Sequence, residues 1–133
     1  ICPPASVLGT ARVFTPLLAD PLEGKVYFRA NGGERDLPDV VVDLHGRVDV
    51  VAVGFVDAVT RKGSESSRVR TRFTNLPDAP LTKAVFSFKG GKKGVFVNSA
   101  NLCKVANIAT VKMVAHNNKT QESNKRIATS CKK

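Results

Sequence analysis

The sequence has no Trp and one Tyr, Tyr27, among 133 residues. That leaves little material for the aromatic platforms on which single-stranded nucleic acids stack their bases. Histidine is nearly absent too, with only His45 and His116. The three cysteines, Cys2, Cys103 and Cys131, form no CxxC pair or other short ligand spacing. A tetrahedral zinc site would have to collect four ligands from scattered positions, so no metal or other cofactor is expected. No apolar run approaches the roughly 20 residues that span a bilayer. The most apolar stretch, 48–59, is broken by Asp49, Gly54 and Asp57, and no membrane insertion is expected. Carboxylates are scarce in one half of the chain. Residues 1–67 carry 7 Lys/Arg against 9 Asp/Glu, whereas residues 68–133 carry 14 against 2. A field of that kind attracts polyanions.

The positive content of the sequence is a series of short β-type runs between turn signals. Candidate strands are 7–14, 24–30, 40–44 and 48–59, the last two joined by a hairpin turn at His45-Gly46-Arg47. Arg61 to Ser67 is polar and reads as a loop. In 68–73 the alternation is strict: Val69, Thr71 and Phe73 point one way, and Arg68, Arg70 and Arg72 the other. Ala84, Phe86 and Phe88 form a second inward row, so Phe73, Phe86 and Phe88 are all predicted inside. Gly90-Gly91-Lys92-Lys93-Gly94 reads as a tight basic turn into a strand at Val95-Phe96-Val97. A short helical turn at 98–102, a strand at 108–116 and a last strand at 125–130 complete the chain. Prolines at 16, 21, 77 and 80 mark loops or edge crossings, because proline cannot donate to a central ladder. The pattern predicts an all-β single domain over 1–133, a β-sandwich (Ig-like or jelly-roll-like) of about eight or nine mainly antiparallel strands.

Cys103 lies before the 108–116 strand and Cys131 at the end of the following segment. Pairing of those two segments brings the sulfurs together, which predicts a Cys103–Cys131 disulfide and an oxidising compartment, extracellular or at the cell surface. Cys2 is then left over, and an odd cysteine in an exported chain points to a partner elsewhere. With its start at Ile1-Cys2-Pro3-Pro4, the chain reads as the C-terminal part of a longer protein. The expected partner is therefore an upstream segment, disulfide-linked through Cys2.

Several short segments add a resemblance. Cys2-Pro3-Pro4-Ala5-Ser6, with Gly9-Thr10-Ala11 after two further residues, is one. Thr15-Pro16-Leu17-Leu18, Pro21-Leu22-Glu23-Gly24-Lys25-Val26-Tyr27, Leu76-Pro77-Asp78-Ala79-Pro80-Leu81 and Asn101-Leu102-Cys103 follow in order. Together they resemble a module of uncharacterised exported proteins of high-GC Gram-positive bacteria (actinobacteria), over roughly residues 2–103. In that group another cysteine precedes the one matching Cys2, which implies a bridge to an upstream strand. The group has no assigned activity, so the resemblance implies a compartment and a fold but no catalytic residue.

The constellations that carry chemistry are few. Asp39, Asp43 and His45 lie close in sequence, and residues 43 and 45 share a strand face. This is the usual composition of a solvated turn. Ser64, Ser66 and Ser67 lack the strand–turn–helix setting of a nucleophile elbow. Gly90 to Gly94 places its lysines between glycines and ahead of a strand, unlike a phosphate loop, which leads into a helix. Arg68, Arg70 and Arg72 are the best-ordered charge feature, about 7 Å apart at strand rise. With Lys89, Lys92 and Lys93 they are the candidate polyanion-binding residues, for a cell-wall polymer, glycan or nucleic acid. The sequence thus predicts a non-catalytic structural or interaction module of an exported protein. Polyanion binding is the alternative, and a hydrolase is the reading with least support.

Overall fold

The structure is a computed structural model and describes residues 2–60 and 67–131. Eight strands in antiparallel sheets are present among the described residues, with two short 3-10 turns at Pro4–Ser6 and Gly91–Lys93. The chain has the all-β, sandwich-like character that the alternation predicts. It forms two compact units, Ile1–Val95 and Phe96–Lys133.

The first unit is a six-stranded antiparallel sheet. Its strands are β1 (Val7–Phe14), β2 (Leu22–Arg29), β3 (Asp39–His45), β4 (Val50–Thr60), β5 (Ser67–Phe73) and β6 (Lys83–Phe88). They lie in the order β5-β4-β3-β2-β1-β6. Strands β1 to β5 are a meander of neighbours in sequence. The chain then returns to the far edge, where β6 pairs with β1, Ala11 opposite Phe86. Period-two alternation explains the core: Leu8, Ala11, Leu22, Val26, Val40, Val42, Leu44, Ala52 and Val56 are buried and form one cluster. Removing each larger side chain from water contributes about 1.5–3 kcal/mol. The strands approach very closely at two glycines. At Gly24 the Asp43 carbonyl, and at Gly9 the Ser87 carbonyl, occupies the space a Cβ would need. Only glycine permits that approach. A bulge between Val7 and Gly9 adds Leu8 to the core side of β1.

The second unit is a two-stranded ribbon of β7 (Ile108–Val114) and β8 (Thr120–Arg126), in register from Ile108 opposite Arg126 to Val114 opposite Thr120. Asn118 at its turn has φ 64°, a left-handed conformation that Asn tolerates well. The Cys103–Cys131 disulfide closes the unit, with Cα atoms 5.8 Å apart. Ile127 N donates to Asn107 O at 2.8 Å, one step beyond the Ile108–Arg126 pair.

Some expectations are corrected. Phe86 and Phe88 share the face of the core residues, yet they are 41% and 45% exposed. β6 is the last strand of its sheet, so alternation supplies the right face but too little cover. Their rings stack at 6.1 Å. Val95-Phe96-Val97 is not a strand, and Val95 and Val97 are exposed. Gly90–Gly94 therefore makes no hairpin: it forms a 3-10 turn closed by Gly94 N donating to Gly91 O. The segment 98–102 is irregular and leads into a turn in which Lys104 N donates to Asn101 O. The last strand starts at Thr120, five residues before the expected position, and ends at Arg126. Most of the predicted 61–67 loop, with Ser64 and Ser66, lies outside the described residues, while Ser67 opens β5.

Candidate functional site

Residues opposite one another in an antiparallel pair share a face, so the register defines the outer surface of the six-stranded sheet. On β5 this surface carries Arg68, Arg70 and Arg72, opposite Val59, Asp57 and Phe55 of β4. Arg70 Nη2 donates to Asp57 Oδ2 at 3.2 Å, and Arg72 Nε lies 3.2 Å from the same oxygen. One carboxylate oxygen thus serves two guanidiniums. Both arginine side chains remain about half exposed, at 55% and 54%. Arg68 makes no ion pair among the described residues.

The next strands extend the surface. Val40 pairs with Gly54, which places Asp39 of β3 beside Phe55 of β4, and Arg29 of β2 lies opposite Asp39. Asp39 is buried, with 1% of its surface exposed. Both of its oxygens are occupied. Arg29 Nη2 donates to Oδ2 at 2.9 Å, while Arg35 donates to Oδ1 through Nε at 3.1 Å and Nη2 at 2.7 Å. Burial pushes the Asp39 carboxyl up, but these hydrogen bonds and the two positive charges outweigh it and hold the group below the usual carboxylate value. The Arg35 guanidinium also covers the Phe55 ring, 4.6 Å from its centroid. Glu34 approaches Arg35 Nη1 at 3.5 Å. The result is a row across four strands: Arg72, Phe55 capped by Arg35, Asp39 and Arg29.

The sequence-predicted basic residues divide between two places. Arg68, Arg70 and Arg72 lie at one edge of the sheet. Lys89 follows β6 at the other edge, its N–H donating to Leu8 O at 2.9 Å, and Lys92 and Lys93 lie in the adjacent 3-10 turn. The sheet order puts β4, β3, β2 and β1 between the two groups. Sequence reasoning missed Arg29, Arg35 and Asp57. Alternation sends Arg29 to the wet face, but only the register shows that β2 and β5 belong to the same surface with two strands between them.

The Asp43–His45 pair is real and gains a third member. His45 Nδ1 is 3.0 Å from Asp49 Oδ1, and Nε2 is 3.3 Å from Asp43 Oδ1. Two acceptors on one ring require both nitrogens to donate, so this arrangement suits the imidazolium. The hydrogen bond to Asp49 first, then that to Asp43, raises the His45 pKa above its ordinary value. This cluster clips the β3–β4 turn. Asp39, grouped with it in the sequence, belongs instead to the arginine row at the opposite end of β3. His116 follows the end of β7 in the second unit.

These elements define an all-β chain with one arginine-rich sheet face and a disulfide-closed ribbon. No family model matches it, and neither curated proteins nor solved structures gave a match.

Proposed function

We propose that this chain is a non-catalytic interaction module of an exported protein, extracellular or at the cell surface, of the actinobacterial kind its motifs resemble. The Cys103–Cys131 disulfide carries this reading, since such bridges persist in oxidising compartments. The exposed apolar residues of the ribbon, among them Ile108, Met113 and Val114, suit a protein that works through surfaces. Cys2 is a free, half-buried thiol and is the residue through which an upstream segment of the same protein would be tied. Non-reducing peptide mapping of protein from its native source tests the compartment. A linked Cys103–Cys131 peptide is expected, and free thiols at both positions would refute export.

A second reading, polyanion binding, has its own observation. The outer face of the six-stranded sheet holds more guanidiniums than carboxylates, and Arg70 and Arg72 share a single carboxylate oxygen. The net charge of +10 supplies the long-range attraction such a surface needs. Retention on a heparin column under rising salt is the simple measurement, and elution at low salt would remove this reading.

A further inference from the structure

We infer that the anion-binding surface is the outer face of β5 and β4 with the ends of β3 and β2 that carry Asp39 and Arg29, built by Arg68, Arg70, Arg72, Arg35 and Arg29, and that its ligand is an extended polymer of repeated phosphate groups held through charge alone. This rests on the polyanion reading, and it replaces the lysines after β6 with two arginines that the sequence does not connect to the site.

Three observations carry it. The first is placement. Arg68, Arg70 and Arg72 repeat along β5 at about 7 Å, and neighbouring strands step sideways by about 4.8 Å. Arg35 stands over Phe55, the cross-strand partner of Arg72, and Arg29 lies two strands beyond β4. The five guanidiniums therefore cover one continuous surface, whereas Lys89, Lys92 and Lys93 lie past the opposite edge strand.

The second is unspent bonding capacity. A guanidinium has five N–H donors in a fixed fork that fits the oxygens of a tetrahedral ester. Three carboxylates, those of Glu34, Asp39 and Asp57, pair with four of the five guanidiniums, while Asp43 and Glu23 lie on the same face toward the other end of β3 and β2. Arg29, Arg70 and Arg72 are each about half exposed, so donors remain for a ligand. Asp57 holds Arg70 and Arg72 in position and is the group a phosphate would displace.

The third is the lack of a base platform on this face. The Phe55 ring is covered by Arg35, and Tyr27 is half-buried opposite Val41. Base stacking, which dominates single-strand recognition, has no open ring among the described residues of this face. Repeated phosphate oxygens are recognised and the groups between them are not.

The test uses the oxidised full chain, with long-chain inorganic polyphosphate as the probe and heparin and duplex DNA as comparison ligands, across a salt series. Replacing Arg68, Arg70 and Arg72 together by Gln is expected to weaken polyphosphate binding by about tenfold or more and to lower the salt slope by about 2–3. Replacing Lys89, Lys92 and Lys93 by Gln leaves most of the affinity. Asp57→Asn is expected to tighten binding by about two- to fivefold, by freeing two guanidiniums from their counter-ion. A gain of this kind does not arise from misfolding. If the lysine variant loses binding and the arginine variant does not, or if Asp57→Asn does not tighten it, the site is overturned while the polyanion reading stands. Binding of heparin with neither polyphosphate nor DNA overturns the phosphate class. Failure of the unaltered protein to bind all three removes both the site and the reading beneath it.

Discussion

The two units solve the same problem, that of holding strands together, in different ways. The six-stranded sheet buries a continuous apolar face, with Val26 fully covered, and uses no disulfide among its described residues. The ribbon has only two strands, and Ile108, Val111, Met113 and Val114 on β7 are all at least 40% exposed. A two-stranded hairpin is marginal in water by itself. A bridge spanning 28 residues supplies what burial does not, about 3 kcal/mol in the chain-entropy view. The contrast shows that a small unit with little core turns to covalent closure, as small exported domains commonly do.

The largest effect should come from removing that closure. With Cys103 and Cys131 both changed to Ser, backbone amides of β7 and β8 should lose their protection from hydrogen exchange, while those of β2 and β3 keep theirs. Equal protection in both proteins would show that the ribbon holds without the bridge. A smaller effect, in the opposite unit, is expected from Gly24→Ala. The added methyl meets the Asp43 carbonyl, and either β2 or β3 must move, at about 2–3 kcal/mol. Denaturant unfolding of the sheet reads this loss, and an unchanged midpoint would mean that the strands separate easily there. The slightest effect belongs to His45. Its pKa is raised in the folded protein, so its contribution is complete below the unfolded value of about 6.5 and disappears as pH rises through the raised value. Unfolding midpoints of the unaltered protein and of His45→Gln should differ under mildly acidic conditions and converge under alkaline ones. A gap independent of pH would argue against the imidazolium clip.

Where the sequence was legible, the reason is local. β5 shows the predicted arginine face because it alternates strictly, and β1 occupies the predicted residues 7–14 because it is a β-type run that ends at the Thr15-Pro16 turn signal, even though a bulge breaks its alternation. β8 begins five residues before the expected 125 because Thr-Gln-Glu-Ser-Asn-Lys-Arg has no apolar residue to mark it, and the first apolar side chain, Ile127, lies beyond its end. Val95 to Val97 has the composition of a strand but joins no ladder. The exposure of Phe86 and Phe88 depends on sheet order, which periodicity does not encode. The same limit applies to the candidate site. Arg68, Arg70 and Arg72 are adjacent in the sequence pattern, but Arg29 and Arg35 join them only through the lateral arrangement of four strands.

The return of the chain to β1 has a kinetic consequence. Thr82 Oγ1 donates to Phe14 O across 68 residues, and every β1–β6 pair closes a gap of similar size. The meander from β1 to β5 needs only short loops and can assemble as the chain emerges during synthesis, whereas β6 must wait for a long excursion. Until it arrives, β1 presents a row of unpaired backbone groups, the kind of template on which foreign strands add. The vulnerable moment in the life of this fold is therefore the interval before its first strand acquires its second neighbour.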